Sequence, residues 1–209
     1  MLEIFWRANA RQFSRPSQSV GNVLAVNDSP NNLNFNGVME KPWSHLASRV
    51  VRVTLARKGI KTGDVPELLT KADKKFKIEG QALSELIAKE RVDLELFLRI
   101  LVAIDDAIPE RWDKVLSDDK KPWKALGASI VAEEASNYPS VDINELTRRM
   151  NRFHKLVPGA SWQTKILEGD MSLAEFMALL HEMGSTSLSQ YLDWKDIVAA
   201  ARVARESAQ

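Results

Sequence analysis

Lys41-Pro42-Trp43 and Lys121-Pro122-Trp123 open two stretches of this chain that echo one another for about sixty residues. Asp64-Val65-Pro66-Glu67-Leu68 is answered by Asp142-Ile143-Asn144-Glu145-Leu146. The apolar series Ile87, Leu94, Phe97, Leu101, Ile104 is answered by Ile166, Leu173, Phe176, Leu180, Met183. The separations are 80, 78 and 79 residues, the drift that small loop insertions between kept helices leave. Self-similarity at a fixed period sets the architecture before any single residue is considered.

Within each copy the period is helical. Leu46, Val50 and Val53 stand at i, i+4, i+7, and Gly59 is placed to end that helix. Asp64 with Glu67, and Asp142 with Glu145, have the spacing of a capping box at the start of a second helix. Leu83, Leu86 and Ile87 mark a third helix, matched by Trp162 and Ile166. The fourth follows Asp93 in one copy and Ser172, with Glu175 three residues on, in the other. Its stripe Leu94, Phe97, Leu101, Ile104 is matched position for position by Leu173, Phe176, Leu180, Met183. The fold class that follows is all-α: two tandem four-helix repeats plus a C-terminal helix.

The boundaries are 1–40 for an N-terminal arm and linker, 41–110 for the first repeat and 111–120 for a connector. The second repeat takes 121–188 and a C-terminal helix 189–209. Residues 14–40 are rich in Ser, Asn, Pro and Gly and read as a partly flexible linker, while Ile4, Phe5 and Trp6 suit a short docking helix. In the last segment Trp194, Ile197, Val198 and Ala201 form a stripe, so Ser189–Glu206 either caps the second repeat or forms a homodimer interface. Trp43 and Trp123 are expected to fill equivalent core pockets, and Trp162 to be core as well.

Composition narrows the function. The chain has 209 residues, 44% hydrophobic and 27% charged, with no cysteine, which removes disulfides, thiolate nucleophiles and cysteine zinc sites. No apolar run approaches the roughly 18 residues of a membrane span, and Met1–Arg7 lacks the pattern of a secretory signal. The expectation is a cytoplasmic protein with no membrane partner. The formal charge of +1 hides a local +5 over residues 1–60 and −4 over 61–209. Any nucleic-acid contact must therefore come from local basic patches.

Lys165-Ile166-Leu167-Glu168-Gly169-Asp170 followed by Leu173-Ala174-Glu175-Phe176 resembles the recognition-helix junction of the lambda-repressor-like (Xre-like) helix-turn-helix family. Ile87-Ala88-Lys89-Glu90-Arg91 is its twin without the glycine. The likeness covers both repeats and is similar to short bacterial helix-turn-helix-like domains with no assigned function. It implies a bacterial or phage transcriptional regulator, repressor-like, that binds double-stranded DNA through two non-identical readers in one chain. Here, however, the second and third helices are joined by about seven residues or more, against the usual turn of about 3–4.

On that implied binding mode the third helices offer Gln81, Ser84 and Lys89 in the first repeat, and Ser161, Gln163, Thr164 and Lys165 in the second. Lys74, Lys75 and Lys77, and Arg148, Arg149, Arg152 and Lys155, lie just upstream. Hydrogen-bonding types suit base edges, and cations suit phosphates. The alternative is a protein-interaction module, anti-activator or antitoxin-like, that keeps the fold without DNA. An enzyme is not expected: His45, His154 and His181 fall in three separate contexts, adjacent acidic pairs diverge on a helix, and no phosphate-cradling glycine loop occurs. No cofactor and no metal are expected.

Overall fold

The computed structural model describes residues 41–118, 121–138, 141–154 and 159–207, apart from the side chains of Lys41 and Ser207. The expected arm, linker and docking helix of 1–40, and Lys155, lie outside these residues. The described residues are all-helical: α1 Lys41–Arg57, α2 Val65–Ala72, α3 Gly80–Ala88, α4 Leu94–Ala103 and α5 Glu110–Leu116. Then come α6 Trp123–Ser136, α7 Ile143–Phe153, α8 Trp162–Glu168, α9 Leu173–Met183 and α10 Trp194–Ser207.

Local chemistry explains most of these limits. Asp93, Asp142 and Ser172 each cap a helix by accepting from the backbone N–H three residues on, and Ser172 with Glu175 closes a full capping box. Asp64 departs from expectation. A 3-10 turn over Thr62–Asp64 leads into α2, Asp64 already has helical φ and ψ, and its carboxylate caps nothing. Gly59 ends α1 with φ +65, as a C′ glycine does. The stripes face inward: Leu94, Phe97, Leu101, Leu173, Phe176 and Leu180 are all buried.

Packing crosses between the halves of the chain. α1 lies mainly on α9 and α10, while α6 lies on α4, α5 and α8. Each first helix thus packs on the fourth helix of the other half, and α2 and α7 complete the set on α4 and α9. At the centre the Leu94 N–H donates to the Met171 carbonyl at 3.0 Å, and the Leu173 N–H to the Val92 carbonyl at 2.9 Å. These two bonds form an antiparallel bridge between Asp93 and Ser172. The pair is reciprocal across the bridge.

Glu110–Leu116 is more than a connector: α5 packs on α6 and buries Trp112 completely. The C-terminal helix α10 does the corresponding thing to α1. Among the described residues each half therefore contributes five α-helices. The two indoles of the repeated Lys-Pro-Trp differ as well, since Trp43 is fully buried while Trp123 is half-buried with the Arg99 guanidinium 4.8 Å from its ring centre.

A candidate nucleic-acid interface

α3 and α8 are short helices with one buried edge each. On α3, Leu83 and Ile87 point inward and Gln81, Ser84 and Glu85 are exposed. On α8, Trp162 and Ile166 point inward and Gln163 and Thr164 are exposed. The Trp162 Nε1–H donates to the His154 carbonyl at 2.8 Å, tying the end of α7 to the start of α8. Ser161 is the N-cap of α8, accepting from the Thr164 N–H, so its hydroxyl already has a task. The connections between second and third helices are long, 73–79 in the first half and 154–161 in the second.

The basic side chains divide sharply. Lys74, Lys75 and Lys77 are exposed on the loop from α2 to α3, together with Lys71 on the last turn of α2. No carboxylate pairs with any of these four among the described residues. The one acid within the run, Asp73, is instead claimed by Arg99 at 2.8 Å, and that guanidinium holds its carboxyl below the usual range. Arg99 is itself seated over the Phe76 ring, 4.2 Å from its centre, which fixes the lysine loop to α4.

The cations of the second half are mostly engaged. Arg148 and Arg149 both bind Glu145, at 2.8 and 2.7 Å, and together hold its carboxyl down to about 2. Arg149 also donates to the Glu182 carbonyl at 2.9 Å, near the C-terminal end of α9. Lys165 is half-buried, 3.1 Å from Glu175 and so bound to the acid of the α9 capping box. Arg152 is exposed, its guanidinium 5.1 Å from the Phe153 ring centre. In the first half Lys89 pairs with Glu85 at 2.7 Å, and Gln81 approaches the same carboxylate at 3.4 Å.

The free recognition chemistry thus reduces to Lys71, Lys74, Lys75, Lys77 and Ser84 in one half and Gln163, Thr164 and Arg152 in the other. Arg91, exposed just past α3 and unpaired among the described residues, adds one more cation. It stands at a helix C-terminus, where a basic residue is ordinary, so the sequence alone gives it no distinction.

The histidines do not assemble a site. His154 is buried between the Trp43 and Trp162 rings, with Nε2 3.8 Å from Glu182, and neither ring nitrogen has a hydrogen-bond partner among the described residues. Burial pushes His181 below its ordinary value, and it lies beside Trp43 and Trp194. No group of three or more metal-ligating side chains converges among the described residues. No helix of the described residues is long and apolar enough to cross a membrane. No protein-family model, curated protein or solved structure matches this chain.

Proposed function

We propose that the chain is a duplex-DNA-binding transcriptional regulator whose main phosphate contact is the lysine loop between α2 and α3. The observation that carries this reading is that Lys71, Lys74, Lys75 and Lys77 are exposed beside α3 and pair with no carboxylate among the described residues. Keeping four cations close together costs repulsion, which a phosphate backbone would relieve. Ser84 on the neighbouring helix face, and Gln163 and Thr164 on α8, are the residues left to read base edges. Because the two faces carry different side chains and very different free charge, the preferred site is an imperfect palindrome with one dominant half.

The test is selection of duplexes from a random pool at low salt, followed by titration of the enriched sequence. The expected result is an enriched motif whose binding weakens tenfold or more in a Lys74→Glu, Lys75→Glu, Lys77→Glu variant that melts like the parent. No enrichment and no salt-sensitive binding would rule the reading out. A second reading, protein recognition by an anti-activator or antitoxin-like module, is favoured by the neutralisation of Arg148, Arg149 and Lys165. It predicts that duplex DNA is ignored at any salt concentration.

A further inference from the structure

Asp73 is the one acid in a run that holds Lys71, Lys74, Lys75 and Lys77, all within four residues of it. A carboxylate so placed would ordinarily pair with one of those flexible side chains. Here both of its oxygens are taken. Oδ1 accepts from the Lys75 backbone N–H at 3.0 Å, and Oδ2 accepts from the Arg99 guanidinium at 2.8 Å. The Arg99 side chain is only 11% exposed and also binds Glu95, one turn earlier on α4, at 2.8 Å. Its guanidinium carbon lies 4.2 Å from the Phe76 ring centre and 4.8 Å from that of Trp123. Two rings, one from the loop and one from the start of α6, thus hold the cation on Asp73.

The second half has no such cation. In the register that matches Leu94 with Leu173 and Phe97 with Phe176, the position of Arg99 falls to Ala178, which is buried. There an acid does take its neighbours: Glu145 binds Arg148 at 2.8 Å and Arg149 at 2.7 Å. Trp43, the counterpart of Trp123, is buried against the His154 and His181 rings, with no guanidinium stacked on it among the described residues. The half that keeps free cations is the half whose acid is held by a buried arginine.

We infer that Arg99 is the positioning residue of the phosphate contact: it occupies Asp73, held there by Phe76 and Trp123, and so leaves the loop lysines free. The inference rests on the proposed DNA reading and names the residue that keeps that site charged. Each lysine withheld from phosphate removes about 0.9 from the steepness of log K against log salt. Releasing Asp73 among four lysines withholds about one of them.

The test uses the full chain in two assays: duplex titration across salt, and elution from a heparin column, which reads the same lysines without DNA. Arg99→Met should flatten the salt slope by about 1 and elute from heparin at lower salt. Adding Asp73→Asn should restore both, because asparagine still accepts from the Lys75 N–H but has no charge to pair. Adding Glu95→Gln instead should restore little, since that acid lies on α4 outside the lysine run. Trp123→Leu keeps Arg99 but loosens it from Asp73, so it should give a smaller loss, again repaired by Asp73→Asn, even if Arg99→Met does not fold. Either variant binding like the parent, no repair by Asp73→Asn, or equal repair by Glu95→Gln would each overturn the inference. A parent that shows the whole pattern on heparin yet ignores duplex at every salt would sink the DNA reading and leave the role of Arg99 standing. A parent that ignores heparin and duplex alike would overturn both.

Discussion

Gly169 and Glu90 occupy matched turns, one after α8 and one after α3, and both sit in the left-handed region, at φ +69 and +58. Their surroundings differ. A Cβ on Gly169 would lie 2.2 Å from the Ala128 backbone nitrogen, because α6 approaches this turn through Gly127. Beside the turn after α3, α1 instead carries Ser48, whose hydroxyl donates to the Ile87 carbonyl at 2.7 Å. Gly169→Ala combines a strained φ with a backbone collision and should destabilise the protein by about 3 kcal/mol or more in urea unfolding. The caps at the bridge differ in a second testable way. Burial pushes the Asp93 carboxyl up to about 6, whereas Ser172 has no charge to desolvate. A folded-state value above the unfolded one gives stability that is complete below about pH 4 and is lost as pH rises through about 6. Asp93→Asn keeps a good cap without the charge, so it should stabilise the chain by about 1–3 kcal/mol at pH 7 and hardly at all at pH 4.

Among the elements, α5, α6 and the turn after α9 are joined by one acid. Glu134 is completely buried and accepts from Trp112 Nε1 at 2.6 Å, from the Ser185 hydroxyl at 2.8 Å and from Arg111 at 3.2 Å, with the Ser187 hydroxyl as a fourth donor. Removing the carboxylate strands the indole N–H in the core and leaves the Ser185 and Ser187 hydroxyls only each other, at 3.2 Å. Glu134→Ala should therefore cost about 3 kcal/mol or more, read as a shift in urea midpoint with an unchanged slope. Nothing in the sequence singled out Glu134. It reads as half of the pair Glu133-Glu134 on a solvated face, because its donors lie 22 to 53 residues away. Caps and apolar stripes were legible, since Asp142, Ser172 and the series from Leu94 act within one or two helical turns. The exchange of α1 and α6 between halves was not, because a stripe fits a partner from either half equally well. For the same reason the site was only partly legible: Lys74, Lys75 and Lys77 read correctly as exposed cations, but the carboxylates that engage Arg149 and Lys165 could not all be foreseen. Glu145 lies one turn from Arg149, whereas Glu175 and the Glu182 carbonyl reach across from α9.

Across the described residues, the antiparallel bridge between Asp93 and Ser172 joins two halves that differ in surface. One half presents the free lysine loop, and the other spends most of its cations on its own carboxylates while ending in the apolar face of α10. The most direct test of the DNA-binding reading is the salt dependence of duplex affinity. With four lysines neutralising phosphates, log K should fall against log salt with a slope of about −3 to −4, and Lys74→Ala, Lys75→Ala, Lys77→Ala should bring it to about −1. A slope near zero in the parent, or an unchanged slope in the variant, would contradict the account.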